Sequence, residues 1–176
     1  MNTEFKYELL EEDFVQSNLD YVKISKNFEK QMRMIKYGFV IVVAFMIIIF
    51  MRSIQGVIFG VLLAAVYSFG FDKYYKFSVK KRVHKSIEKG QLKLYENGMT
   101  AVVSDAGVVI KGKKEKTKYS WNDILMVVES PSYVYLLSKT GTAEVLPKRN
   151  QDEALMKKEI IERAVEIGKI EYKTIS

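Results

Sequence analysis

The sequence predicts a membrane α-helical hairpin joined to a cytosolic α+β/all-β domain of about seven short antiparallel strands closed by a C-terminal helix. Three observations carry that fold class. Residues 37–71 contain a single formal charge, Arg52. Lysine and arginine crowd both flanks of that stretch but not its middle. After Gly90 the pattern changes from long apolar runs to short segments separated by turn residues, among them Asn97-Gly98, Asp105-Ala106-Gly107 and Thr140-Gly141.

Residues 1–36 open with Phe5, Tyr7 and Leu9 alternating with Lys6 and Glu8, the period of a short half-buried strand. Glu11, Glu12 and Asp13 then set negative charge where a helix begins, at the positive end of its dipole. Phe14, Tyr21, Ser25, Phe28, Met32 and Ile35 recur at helical spacing and form one stripe. That stripe is expected to pack on the cytosolic domain or on a partner helix, with binding to the headgroup surface as the alternative. No Gly or Pro interrupts the run before Gly38, so this helix is expected to continue directly into the first span.

Residues 37–71 divide into two spans, at 35–51 and 54–71, around a polar break at Arg52-Ser53. A crossing helix needs about 20 apolar residues, with 17 tolerated, because the hydrocarbon slab is roughly 30 Å thick. The second span meets this unaided. The first reaches back to Met34 and Ile35 if Lys36 extends its ammonium to the headgroups. A helical hairpin buried in a soluble core would show the same hydropathy, and the flanks separate the two cases. Lys23, Lys26, Lys30, Arg33 and Lys36 precede the first span, and Lys73, Lys76, Lys80, Lys81, Arg82 and Lys85 follow the second. Cations are retained on the cytoplasmic side, so the chain is expected in the cell membrane as a multi-pass protein with N- and C-termini cytoplasmic. Tyr37, Tyr67, Tyr74 and Tyr75 fall near the expected interfaces, where amphipathic rings are enriched. Gly56, Gly60 and Ala64 make a small-residue ridge that lets a helix approach closely, either the other span or a second copy in a homo-oligomer. A cleavable signal peptide is not expected, because the apolar run starts late behind an acidic N-terminus.

Residues 72–89 read as a basic juxtamembrane helix continuing the second span. His84, the only histidine, has no cysteine or carboxylate pair near it in sequence and is a poor metal ligand or general base. In residues 90–176 the strands expected are 91–96, 99–104, 108–110, 118–121, 124–128, 133–137 and 142–146, with Asn97-Gly98 as the first hairpin turn. Pro147 stops the sheet, and Asn150 with Glu153 resembles a capping box opening a helix that ends near Gly168. Ile160, Ile161, Ala164, Val165 and Ile167 should press that helix over one mouth of a barrel. Trp121 is expected as a core anchor, and Asp105, Asp123 and Asp152 as turn and cap residues.

The composition limits the chemistry. The chain has 176 residues, enough after the hairpin for one compact core. Residues 1–71 carry equal numbers of acidic and basic side chains, so the whole net charge of +7 falls in residues 72–176. Beside a span, that excess is better suited to the anionic headgroups of membrane lipids than to nucleic acid, since each Lys or Arg near the leaflet gains about 1 kcal/mol. The absence of cysteine removes disulfides, thiolate metal sites and thiol nucleophiles. No Gly-rich phosphate loop, HExxH, nucleophile elbow or second histidine is present, so neither an enzyme nor a cofactor is expected. The binding signal is basic. Lys80, Lys81, Arg82 and Lys85 adjoin the membrane, and Lys113 and Lys114 lie in a lysine-rich hairpin. These six are the candidate contacts for anionic lipid, with Lys148-Arg149 as a further basic pair.

The runs Leu94-Tyr95-Glu96-Asn97-Gly98, Tyr119-Ser120-Trp121-Asn122-Asp123-Ile124 and Val145-Leu146-Pro147-Lys148 resemble the C-terminal domain of the bacterial YcxB-like protein family. Phe5-Lys6-Tyr7, Glu12-Asp13-Phe14 and the two-span hairpin are similar to that family's layout, although Leu10-Glu11 stands where a hydroxyl cap is common. Seven strands followed by one helix also resemble a pleckstrin-homology-like (PH-like) domain. The resemblance implies a protein of the bacterial inner membrane with a PH-like domain over residues 90–176, and it brings no catalytic residue. The function expected is a non-enzymatic membrane-anchored interaction or scaffold module with an unidentified protein partner. The alternatives are an anionic-lipid sensor, or a small subunit of a membrane transport or enzyme complex. An ionisable residue within a span would mark that last case, and Arg52 sits in the turn instead.

Overall fold

The computed structural model describes residues 2–50, 54–90, 92, 95–112 and 116–175. Arg52, Lys113 and Lys114 lie outside the described residues, as do Gln91, Lys93 and Leu94 of the first strand expected after Gly90. The chain begins with β1 (Thr3–Leu9), α1 (Glu11–Ile24), α2 (Lys26–Phe50) and α3 (Ile54–Glu88). It continues through β2 (Tyr95–Ser104), β3 (Gly107–Lys111), β4 (Lys116–Ser120), a 3-10 turn at Trp121–Asp123, β5 (Ile124–Glu129), β6 (Tyr133–Ser138) and β7 (Ala143–Pro147). The C-terminal helix comprises α4 (Glu153–Met156), a π segment (Lys157–Glu162) and α5 (Arg163–Glu166), and β8 (Glu171–Thr174) follows it.

The strands form two sheets, ordered β1-β2-β3-β4 and β7-β6-β5-β8. Phe5, Tyr7 and Leu9 do alternate into the core, but β1 is not a separate N-terminal piece. It pairs antiparallel with β2, from Thr3 opposite Val103 to Tyr7 opposite Met99. Asn97-Gly98 is not a hairpin turn either. Both residues lie within β2, whose register to β1 slips between Tyr7 and Leu9, and Gly98 at φ 81 supplies the left-handed backbone there. The inner faces of the two sheets meet in one core, in which Ala101, Val103 and Val108 face Trp121, Val127, Val134 and Leu146. Trp121 is 4% exposed and its indole N–H donates to the Ser104 carbonyl (3.1 Å), so the ring joins the two sheets as expected of an anchor.

The C-terminal helix closes this core with Met156, Ile160, Ile161 and Ala164, while Val165 and Ile167 stay exposed. A π turn takes more residues than an α turn, so it rotates the face that follows and carries those two side chains outward. The cap is Asp152, whose carboxylate accepts from Leu155 N (3.1 Å). Asn150 instead occupies a left-handed turn at φ 61. After the helix, β8 lies parallel to β5, so the all-antiparallel expectation fails at one strand. Its sequence, EYKT, has no apolar alternation; Ile170 and Ile175 at its two ends are the residues buried.

The helices form a second layer. The expected unbroken run from α1 into the first apolar helix is interrupted at Ser25, whose backbone is extended (ψ 104) and whose hydroxyl accepts from Phe28 N at 3.4 Å. From there α2 and α3 pack as an antiparallel pair. Lys36 bonds Asp72 (2.9 Å), Phe39 packs on Tyr67 (ring centroids 4.1 Å apart), and Ile47 fills the space over Gly60. Gly56 and Gly60 are buried, and at Gly60 the neighbour is α2 of the same chain. Among the described residues, α3 is the one helix long and apolar enough to cross a membrane. It runs without a break from its apolar half into the basic segment after Asp72.

Candidate functional site

α1 is where the helical pair meets the sheets. Its buried residues are Asp13, Val15, Asp20 and Ile24; of the expected stripe, Phe14 packs half-buried against the core, whereas Tyr21 and Phe28 are exposed. The expected stripe differs from the buried face beyond Phe14 because half of that face is acidic, and a carboxylate is normally read as facing solvent. The second sheet supplies the partners that make burial tolerable. Tyr133 and Tyr135 project side by side from the outer face of β6, ring centroids 5.8 Å apart. The Tyr133 hydroxyl donates to Asp13 Oδ1 (2.8 Å) and the Tyr135 hydroxyl to Asp20 Oδ2 (2.6 Å), while Gln16 Nε2 donates to Asp20 Oδ1 (2.9 Å).

Asp13, 1% exposed, is the centre of the network. Arg149 grips it with Nη1 on Oδ1 (2.5 Å) and Nη2 on Oδ2 (2.7 Å), and the same Nη2 reaches the Glu8 carbonyl at the end of β1. Leu10 N donates to Asp13 Oδ2 (2.7 Å), which caps α1. Burial pushes the Asp13 carboxyl up, but the bonds from Arg149, Leu10 and Tyr133 outweigh it and hold the group below its ordinary value. Tyr133 and Tyr135 are pushed up, first by burial and then by the carboxylates they bond, so both remain hydroxyl donors. With its acceptor positions filled, Asp13 fixes α1 to the sheet. On its other side α1 packs Val15 against Val79 and Val83 of α3. The helical pair and the sheets are thereby joined through one helix.

This arrangement redistributes the basic signal. Arg149 is consumed by Asp13, and Lys148, with its side chain 10% exposed, bonds Glu129 (2.7 Å), so that pair is spent within the fold. Glu129 is pushed up by burial, yet it stays below its ordinary value because Lys148 and Tyr172 bond it. Lys81, Arg82 and Lys85 are exposed on α3. Lys80, also exposed, lines a cleft of about 640 Å³ between α3, the start of α1 and the β5–β6 turn, together with Lys76, Glu11, Glu12, Gln16 and Ser132. His84 is less isolated than its sequence neighbours imply, with Glu11 at 3.3 Å and Glu88 at 3.4 Å. Among the described residues no group of three or more His, Cys, Asp or Glu side chains is placed to hold a metal. The three aspartates read as structural act so. Asp105 bonds Arg163 (2.8 Å), Asp123 accepts from Ser120 N (2.9 Å), and Asp152 caps the last helix.

Residues 103–160 match the family model described as YcxB-like protein. The matched segment runs from the end of β2 into the C-terminal helix and includes Trp121, Tyr133, Tyr135 and Arg149. No curated protein matches the chain.

Proposed function

From the match of residues 103–160 to the YcxB-like family model, we propose that the chain is a non-enzymatic membrane-anchored interaction module whose PH-like body sits at the cytoplasmic face. The observation that carries this reading is the pairing of β1 with β2 around the helical pair. The apolar helices leave a folded body and return to it, as a two-span anchor with both ends on one side requires. Support comes from the outward faces of α2 and α3, where Ile41, Phe45, Val66 and Phe69 are exposed, Phe69 at 84%. In water so large an apolar surface is a liability, whereas in a bilayer it meets its own kind. The basic segment beginning at Lys73 supports the cytoplasmic orientation. Two four-stranded sheets closed by a helix support the PH-like reading, with β8 as an addition. The partner is a protein that docks on this body, and a small-subunit role in a larger membrane complex is a special case of the same reading.

A second reading, capture of anionic lipid, draws on the exposed Lys81, Arg82 and Lys85, which need no fixed geometry to be drawn to a charged leaflet. The test uses the full chain in native membranes. Retention in the pellet after alkaline carbonate extraction is expected, and release to the supernatant overturns the anchor. Protease added outside intact cells should leave the C-terminal helix uncut; trimming reverses the orientation. Crosslinking in those membranes should capture a defined protein on the sheet body, and capture of lipid alone favours the second reading.

A further inference from the structure

Two openings lie end to end along α1 and α3. On α1 the lining residues Glu12, Gln16, Leu19 and Lys23 recur every three or four positions, and on α3 Asp72, Lys76 and Lys80 recur every four, so each set is a single row. The rows face each other because the helices run antiparallel, with Glu11 beside His84 and Val15 beside Val79. Lys76 lines both openings.

The two openings differ in chemistry. Toward the apolar helical pair lies a slot of about 370 Å³ between α1, α2 and α3, its floor made by apolar and aromatic side chains such as Leu19, Met32, Phe71 and Tyr75, and its lining shared with charged residues including Lys23, Glu29 and Arg33. The Lys36–Asp72 ion pair (2.9 Å) lies at its edge, with the Lys36 ammonium 5.8 Å from the centre of the Phe71 ring. Toward the sheets lies the cleft of about 640 Å³, where Lys76 and Lys80 face Glu11 and Glu12. A ligand that fits both openings has an apolar tail and a head bearing both signs of charge.

We propose that the two openings together seat one zwitterionic phospholipid of the phosphoethanolamine class, with its phosphate on Lys76 and Lys80, its ammonium at Glu11 and Glu12, and an acyl chain in the apolar slot. The assignment rests on the membrane reading above, which brings lipid tails to the slot. Charge complementarity selects the headgroup. An anionic phosphoglycerol head would satisfy the lysines but offer the two carboxylates only neutral glycerol hydroxyls, with no cation to pair them. A phosphocholine head carries the same charges, but its trimethylated nitrogen donates no hydrogen bond to a carboxylate. Lys81, Arg82 and Lys85 line neither opening, so general attraction to the leaflet and the seat are separable.

The test uses the full-length chain purified from membranes, relipidated with phosphatidylethanolamine, phosphatidylglycerol and phosphatidylcholine at equal mole fraction, and read by native mass spectrometry. Retention of one phosphatidylethanolamine per chain is expected, at least tenfold above the other two, or about 1.4 kcal/mol. Lys76→Ala with Lys80→Ala should remove that retention. Glu12→Gln should narrow the preference over phosphatidylglycerol, and Lys81→Ala with Arg82→Ala should change neither. Trp121 fluorescence checks that each variant is folded. Equal retention of the three lipids, or retention unaffected by the Lys76/Lys80 pair, overturns the seat while the anchor stands. Release of the chain by carbonate in the same preparation overturns the anchor and the seat together.

Discussion

Replacing Asp13 by alanine tests whether the buried carboxylate holds α1 in place. The substitution leaves the Tyr133 hydroxyl and the Leu10 N–H without their acceptor, at 2.8 and 2.7 Å in the native fold. A group so stranded costs about 1–3 kcal/mol, with the Leu10 N–H at the low end because that residue is 40% exposed. Arg149 also loses its partner, but its side chain is 37% exposed and can turn to water, so its share is discounted. The expected loss is therefore about 3–4 kcal/mol, near the range of about 3–5 found when one member of a buried pair is removed. For a soluble body of roughly 100 residues, each kcal/mol moves Tm by about 4–8 °C, which predicts a fall of at least about 12 °C. The single tryptophan, Trp121, sits in the core between the sheets, so thermal unfolding in detergent can be followed by its fluorescence. The pH dependence supplies an internal check. Because the folded Asp13 carboxyl is held below its ordinary value, its contribution is complete above the unfolded pKa and lost as pH falls through the folded one. The gap between wild type and Asp13→Ala should then close in acid. A variant within about 1 kcal/mol of wild type at neutral pH would refute the reasoning, since that is the size of an exposed pair such as Arg33–Glu29.

Other substitutions probe the remaining joints. Gly107→Ala should prevent folding, measured as loss of protease resistance, because a Cβ there would lie 2.0 Å from the Tyr119 carbonyl oxygen at φ 139. Gly98→Ala, with nothing within 4 Å at φ 81, should cost only about 1–2 kcal/mol. Glu144 accepts from the Tyr119 hydroxyl (2.7 Å), and burial raises its pKa while the tyrosine's rises to about 12. Its contribution is present below the unfolded pKa and lost as pH rises through the raised folded value. Glu144→Gln should thus match wild type in acid and exceed it at neutral pH in denaturant titrations. Gly60→Leu should force α2 and α3 apart, since even a Cβ would lie 1.7 Å from Ile47 Cδ1. In this cysteine-free chain, a cysteine pair introduced at Phe39 and Tyr67 should then crosslink more slowly than with Gly60 intact.

Elements whose periodicity is apolar were legible from the sequence. The alternation of Phe5, Tyr7 and Leu9, the apolar half of α3, and the strands β3 and β5–β7 all announce themselves because burial of hydrocarbon sets their pattern. What escaped detection was whatever the fold buries as polar or joins over distance. Asp13 and Asp20 look like surface charges until Tyr133 and Tyr135, more than a hundred residues away, are brought over them. Arg149 looks like half of a basic patch for the same reason. Gly98 was recognised as a residue with positive φ and misread as a turn, because local sequence does not show that β1 already occupies the position beside β2. β8 escaped because its four residues bury little, and the π segment because nothing in Lys157–Glu162 separates it from an α-helix.

The partnership of β1 with β2 also sets an order of events during synthesis. Thr3–Leu9 is synthesised well before its complement, Tyr95–Ser104, which emerges only after both long helices have been made. Until then Phe5, Tyr7 and Leu9 have no sheet to join and remain available to chaperones and proteases. On the two-span reading proposed above, a molecule whose helical pair inserted with the wrong number of crossings would strand β1 across the bilayer from its mate, and the body could not close. On that reading, completion of the sheet would report correct insertion, and misinserted copies should be the short-lived ones.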